Sequence, residues 1–396
     1  MNPSRFDIVT IGGGMAASAL GAAMAKRGAR VLILEKETNF RDRVRGEYLV
    51  PWGAAEAVEL GLRAALVQSC ATEVPIVDMG FGPRPLIETT PQKLPSMTFH
   101  HPEMQETLLA QAENAGAEVR RGVTATNVET GSNPAVFTSN GGEEKIRARL
   151  VVIADGRGST ARKWAGFSVK TDVYPFQFAG VLLEGASVSS DLAWFVFNSE
   201  FGLVAGLAPQ SKNRCRAYLG YPTDGAFTLQ GSDKVEKFLA ETRRVGPMFA
   251  DCYAQAKSVG PLAAFDAGYT WVDHPYRDGV ALIGEAAAVS DPSFGQGMSL
   301  ALRDARVLRD ALVGDSDWDR AAHRYAEQHD NYFQATHTVC CWFRSMFQEQ
   351  GRAADARRQK AMPGILADLT RVPDHLFGGP ELPMNETVRA RFFGDD

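Results

Sequence analysis

FDIVTIGGGMAASALGAAMAKRGARVLILE, residues 6–35, is the stretch that decides how this chain is read. Residues 6–11 are apolar and rich in β-branched side chains, the pattern of a strand buried on both faces. Gly12, Gly13 and Gly14 stop that strand. Residues 15–27 are mostly small and fit a helix, with Gly28 at its C-terminal stop. Residues 31–34 form a second buried strand that ends at Glu35. A strand, turn, helix and strand of this length make one βαβ unit. Within it, Gly12-Gly13-Gly14-Met15-Ala16-Ala17 has the form GxGxxA. The first glycine permits a tight turn, the next lets backbone approach a pyrophosphate, and small Ala17 lets helix and strand pack closely. The helix start adds N–H donors and a partial positive charge. Glu35 is placed to accept from ribose hydroxyls; the competing reading is a plain turn followed by a solvated strand end. The glycines and Asp7 also make this a strand–turn–helix rather than a secretory leader, so the segment reads as mature sequence.

Around this unit lie 396 residues with 42 Lys and Arg against 47 Asp and Glu, a net charge of −5. Hydrophobic residues are 45% and charged residues 22%, which excludes a disordered or collagen-like chain. The acidic balance argues against a nucleic-acid partner. No apolar run is long enough for a transmembrane helix. The odd count of five cysteines, with no CxxC pair, suits a reducing, cytoplasmic setting. Five prolines between residues 75 and 95 point to edge strands and loops of a second layer. Residues 54–69 and 102–115 read as helices, and 118–128 as a strand. Asn140-Gly141-Gly142 reads as a hairpin turn. Residues 174–271 read mostly as strands, with one helix near 233–244. Long helices are expected over 298–313 and 318–350, and a tail without periodicity after Gly351.

Two further glycine-bearing pieces follow predicted strands. Asp155-Gly156-Arg157-Gly158-Ser159-Thr160-Ala161-Arg162 follows residues 150–154; taken alone, Asp155 caps a helix as readily as it touches a ligand. Gly284-Glu285-Ala286-Ala287 follows residues 280–283 and runs through Asp291-Pro292-Ser293-Phe294-Gly295-Gln296-Gly297-Met298-Ser299 into a long helix. Such a turn is an anion or dipole site, or equally a simple helix start.

In this order and with these gaps, the three pieces resemble the FAD-dependent aromatic hydroxylases, single-component flavoprotein monooxygenases of the para-hydroxybenzoate hydroxylase fold. The resemblance spans residues 6–315. It implies an α/β chain: a Rossmann-like FAD-binding domain, an interleaved, mostly antiparallel β-sheet substrate domain, and C-terminal helices. The corresponding segments are 1–74, 100–171 and 277–315 for FAD, 75–99 and 172–276 for substrate, and 316–396 for the helical end. The cofactor residues it implies are Gly12, Gly14, Met15, Ala16, Ala17, Glu35 and Lys36 at the ADP half. Arg45, Asp155 and Gly156 fall near the pyrophosphate, and Val123 near the adenine. Glu285, Gly295, Gly297 and Met298 belong to the third motif. His101 stands where the family has an arginine or glutamine and is expected to donate one hydrogen bond to FAD; the other reading of His100 and His101 is helix entry.

Against the family's third motif, about GDAAHxxPPxGGQGxN, this chain has Glu285 for Asp and Ala288 for His. It also has Asp291 for the first Pro, Phe294 for the first Gly and Ser299 for Asn. The resemblance implies oxygen transfer through a flavin C4a-hydroperoxide to an aromatic or apolar small molecule, with O2 as co-substrate and NADPH or NADH as transient donor. Pro292 and Gly297 would shape the ring edge, while Phe176, Phe178, Pro292 and Phe294 are the candidates to touch substrate. No acid or base stands out.

A separate flavin reductase and a homodimer stay open. The dimer face would be a stripe of Trp342, Phe343, Met346 and Phe347, whose other reading is packing on the flavin domain. His323, His329 and His337 lie six and eight apart, unlike a helix-face metal site, and read as surface or packing residues. Same-fold alternatives are a halogenase or an ene reductase. Halogenase relatives carry WxWxIP with a nearby lysine, and no WxW pair occurs here. A non-enzymatic nucleotide-binding protein is the third reading.

Overall fold

The computed structural model describes residues 6–139, 143–225 and 227–396. The expected hairpin turn at 140–142 lies outside the described residues. The fold is α/β, with a mostly parallel sheet, a mostly antiparallel sheet and C-terminal helices. The first sheet has the order Tyr276–Arg277, Val280–Leu282, Glu143–Ile153, Phe6–Ile11, Val31–Glu35, Glu118–Arg121. All neighbours are parallel except the first pair.

Alternation explains why its strands read as unbroken apolar runs. Ile8, Ile33, Leu150 and Val152 pack with the helices Met15–Ala25, His101–Asn114 and Gly297–Gly314. Val9, Ile11, Leu32, Leu34, Val151 and Ile153 pack on the opposite side with Val123, Val136 and Ala161. Both faces are covered, so no position needs a polar side chain.

The second sheet runs Lys257–Ser258, Phe176–Glu184, Arg214–Pro222, Leu203–Gln210, Leu192–Asn198, Ile76–Asp78, Pro83–Pro85. The two prolines of the last strand sit on the edge, where a missing N–H costs no ladder bond. One face packs under the helix Lys234–Val245 through Phe238 and Val245. The other carries Phe178, Val204 and Tyr218 into the core shared with the first sheet. Ser96–Phe99 pairs with Tyr48–Leu49 and Ala71–Val74 in a small sheet of its own.

Several expectations change. Gly61, at φ +70°, divides the 54–69 helix into Pro51–Glu59 and Arg63–Ser69. Gly122, at φ +71°, divides the 118–128 strand into Glu118–Arg121 and Ala125–Glu129. The tail after Gly351 contains the helices Arg352–Ala367 and Glu386–Phe393. Pro363 lies inside the first of them, where it removes one intrahelical hydrogen bond and hides the pattern.

Three of the four residues in the aromatic stripe of the helix Trp318–Phe347 pack inside this chain, and Trp342 is half-buried. Phe343, Met346 and Phe347 are buried, and Phe343 stacks on Phe392 at 5.4 Å between ring centres. Phe343 also meets Phe294 edge-on, and Phe347 packs on Phe197. No helix among the described residues is long and apolar enough to cross a membrane.

Removing a ring at the centre of this junction opens a cavity. Phe343→Ala is expected to lower unfolding stability by about 3–5 kcal/mol, whereas Phe343→Leu should lose much less. Denaturant titration of the two variants checks this.

Candidate cofactor and substrate site

Parallel strands bring the C-terminal ends of Phe6–Ile11, Glu143–Ile153 and Val280–Leu282 to one edge, and each is followed by one of the glycine turns. The turns open on a cavity of about 690 Å³ between the two sheets. Gly12 has φ +99°, and a Cβ there would stand 2.5 Å from the Ala154 carbonyl oxygen, so only glycine fits. The Gly13 N–H donates to Glu35 Oε2 at 2.7 Å, and the Glu37 N–H to Oε1 at 2.8 Å. Glu35 therefore fixes the turn as well as lining the cavity, and its oxygens keep acceptor capacity. Gly14, Met15 and Ala16 line the cavity at a helix start that has no side-chain cap and no acidic residue in its first turn. Ala17, expected at the cofactor, is fully buried behind them and does not line the cavity. Lys36 and Val123 line the same end.

The second turn is stapled from both sides. Asp155 Oδ2 accepts at 3.3 Å from the N–H of Ala161, the first residue of the short helix Ala161–Trp164, whose N-cap is Thr160 rather than Asp155. Its Oδ1 is buried without a partner among the described residues, and Asp155 and Gly156 both line the cavity. Buried Arg162 donates to the Ala286 carbonyl at 3.3 Å, tying the second turn to the third. In the third turn Glu285 faces the cavity and stands 3.8 Å from Arg157. Pro292, Gly295, Gly297 and Met298 line the far end, where the helix Gly297–Gly314 begins without a side-chain cap.

The arginine-rich loop forms a further wall. Arg43 and Arg45 line the cavity, and the Arg45 guanidinium lies 5.6 Å from the centre of the Phe265 ring. Between them Val44 is buried at φ +61°, a costly conformation for a β-branched residue. A buried ionic group holds it there. Asp42 accepts from the Val44 N–H at 2.8 Å and pairs with Arg216, which pairs with Glu47 at 2.6 Å. Burial pushes the Asp42 carboxyl up, but the Arg216 hydrogen bond and charge outweigh it and hold it below the usual range.

Aromatic rings form the remaining wall. Phe178 lines the cavity and stacks on Tyr218 at 5.3 Å, with Phe195 and Tyr48 beside them. The hydroxyls are tied off: Tyr218 donates to Glu47 at 2.9 Å and Tyr48 to Ser96 at 2.8 Å. Phe176 does not line the cavity; it shares a face with Phe178 but stacks on Tyr174. Phe294 does not line it either, because it turns away to stack on Phe197 at 6.0 Å. His101 lines the cavity with Nδ1 2.9 Å from the Gly46 carbonyl. A carbonyl only accepts, so Nδ1 carries the proton. Burial pushes the His101 pKa down, which favours the neutral ring and leaves Nε2 an acceptor rather than the expected donor. Tyr48 and Tyr218 are not legible as site residues, because strand pairing brings them here, whereas Arg157 arrives with the second glycine turn.

These features fit a dinucleotide carrying an anionic centre and a flat ring. Two uncapped helix starts, an unpartnered buried Asp155 oxygen and a Gly12 cradle that a Cβ would fill are its requirements. A family model described as "FAD binding domain" matches residues 5–316. Squalene epoxidase 2, mitochondrial, of Arabidopsis thaliana is 26% identical over 332 residues, 78% of this chain and 54% of that protein. The chain thus spans about half the length of that relative. The 1H-pyrrole-2-carbonyl-[peptidyl-carrier protein] chlorinase of Pseudomonas fluorescens is 24% identical over 377 residues, covering 83% of this chain and 80% of that protein. Among solved structures, p-nitrophenol 4-monooxygenase of Pseudomonas putida shares the fold with a TM-score of 0.75 at 20% identity, over 94% of this chain and 98% of that one.

Asp291 beside Pro292 yields a test by pH. It is fully buried, with Oδ1 accepting from the Ser293 N–H at 2.8 Å and Oδ2 unpartnered among the described residues. Burial pushes its carboxyl up to about 6. A carboxyl raised by folding adds stability that is fully present below its unfolded value, about 4, and lost as pH rises through about 6. Asp291→Asn keeps the acceptor and removes the charge. Its melting temperature relative to the wild type should therefore rise from about pH 4 to about pH 8, which scanning calorimetry measures.

Proposed function

The chain belongs to the FAD binding domain family, and from that premise we propose that it is a FAD-dependent monooxygenase that transfers one oxygen atom of O2 to an aromatic or other apolar small molecule, with NADPH or NADH as electron donor. The observation that carries this reading is the composition of one cavity: glycine turns and helix starts at one end, aromatic faces with occupied hydroxyls at the other. Bound FAD supplies the activation of O2, chemistry that no side chain provides.

The protein's part is binding, orientation and exclusion of water. Gly12, Gly14, Met15 and Ala16 present backbone N–H groups, while Glu35, Lys36 and Val123 receive the adenosine end. Arg45, Asp155 and Gly156 lie toward the pyrophosphate. Glu285 would accept from the ribityl hydroxyls. Gly295, Gly297 and Met298 present the start of a helix to the ring, whose edge Pro292 and neutral His101 shape. Phe178, together with Phe195, Tyr48 and Tyr218, offers the substrate ring faces, and the two tyrosine hydroxyls are already bonded elsewhere. Such a wall keeps water from the reacting centre and selects an apolar substrate.

The chlorinase relative supports a halogenase as the second reading. Among the described residues, Lys36 is the one lysine that lines the cavity, and it follows the acid of the second strand. A lysine at the aromatic end, where a halogenating species would need it, has no counterpart there. This favours oxygen transfer.

The test is an anaerobic visible spectrum of the FAD-loaded protein before and after NADPH, then NADH. Bleaching of the flavin band by either nucleotide, followed by substrate-dependent O2 uptake, is the expected result. A bound flavin that neither nucleotide reduces points to a separate reductase. Turnover that needs no O2 replaces the proposal with a reductase, and failure to bind FAD removes it.

A further inference from the structure

The helix Trp318–Phe347 lies beyond the matched residues 5–316, yet one face of it reaches the third glycine turn. Tyr325, His329 and Tyr332 stand at i, i+4 and i+7, so they share that face. The Tyr325 hydroxyl donates to the Leu282 carbonyl at 2.6 Å, on the strand that enters the turn. The Tyr332 hydroxyl donates to Asp304 Oδ1, and His329 Nδ1 lies 3.0 Å from the same oxygen. Asp304 Oδ2 in turn accepts from the Gly284 N–H at 2.7 Å. His329 Nε2 is buried and unpartnered among the described residues, so the ring carries its proton on Nδ1 and donates it to Asp304. Asp304, His329, Tyr325 and Tyr332 are all buried. Gly284, at φ +62°, leads directly into Glu285 at the cavity wall.

We propose that Asp304, oriented by His329 and Tyr332, is a positioning residue that sets the Gly284–Glu285 turn for the flavin end of FAD, which makes the C-terminal helix a working part of the cofactor site. The inference rests on the FAD reading above. Its physical basis is that each partner of Asp304 is a donor. An asparagine there would turn an N–H₂ toward at least one of those donors, leaving buried groups unsatisfied and the turn unpinned. The glycine turn at residues 12–14, held by Glu35, takes no part in this network.

The two ends of the cavity can be read separately, with FAD and with ADP as probes of the FAD-stripped protein by titration calorimetry. Asp304→Asn is expected to weaken FAD about tenfold or more while changing ADP less than about twofold. Tyr332→Phe keeps the ring, loses one donor and should act in the same direction by a smaller factor; it carries the test if Asp304→Asn does not fold. Unchanged FAD affinity in both variants overturns the proposal, as does an equal loss for FAD and ADP, which marks general destabilisation. Failure of the wild type to bind FAD overturns the flavin reading itself.

Discussion

The Arg216–Glu47 ion pair is the interaction on which the rest of the site depends. Both side chains are withdrawn from water completely, at a desolvation cost of several kcal/mol for each charge. Burial opposes the charge on Arg216, but Glu47 beside it outweighs that and keeps its pKa raised. Asp42, Tyr218 and Gln210 complete the group with hydrogen bonds to Arg216 or Glu47. Removal of any one charge would strand the others, so the group has one workable arrangement. That arrangement pins the loop after the second strand to the antiparallel sheet. It holds Val44 in its left-handed conformation against Gly180 and turns Arg43 and Arg45 toward the cavity. The polar and aromatic walls share this one anchor, because the Tyr218 hydroxyl that it consumes belongs to the apolar wall.

Sheet topology does the other half of the positioning. Parallel neighbours send their C-terminal ends to the same edge, so glycine turns separated by well over a hundred residues meet without any long-range sequence signal between them. Arg162 then locks the second turn to the third, and Asp304 locks the third to its own helix. What the sequence must supply at each turn is small: a residue that tolerates close backbone approach and an acid within reach. Gly12 with Glu35, Gly156 with Asp155, and Gly284 with Glu285 meet this requirement.

This economy explains what was legible in the sequence and what was not. The first βαβ unit could be read residue by residue, because strand burial, glycine geometry and the acid all act locally. Phe176 and Phe178 are both sequence candidates for the substrate, but which ring reaches the cavity is decided by Tyr174, which occupies Phe176. In the sequence His329 stands six and eight residues from other histidines. Its true partners are Tyr325 and Tyr332 on its own face and Asp304 on another helix. The helices after Gly351 are not legible because the first of them contains Pro363 and few buried residues, so its periodicity is weak. His101 lines the cavity, but its proton goes to Gly46, a contact set by the loop rather than by the motif.

Three of the departures in the third motif, Ala288, Phe294 and Ser299, follow from local packing. A Cβ on Gly53 would stand 2.1 Å from Ser299 Oγ, so the helix Pro51–Glu59 approaches too closely for the larger asparagine of the family pattern. Ala288 sits in a short strand paired with Trp271, where a small apolar residue is buried. Phe294 replaces a glycine because its ring is inserted between Phe197 of the antiparallel sheet and Phe343 of the long helix. Phe343 rests in turn on Phe392, close to the end of the chain. The ring-edge turn is therefore clamped from outside by elements that follow the family's matched segment. Its Pro292 face looks into the cavity, while its Phe294 face belongs to the C-terminal core. The packing of the C-terminal helices thereby reaches, through Phe294, the turn that carries Pro292 at the cavity wall.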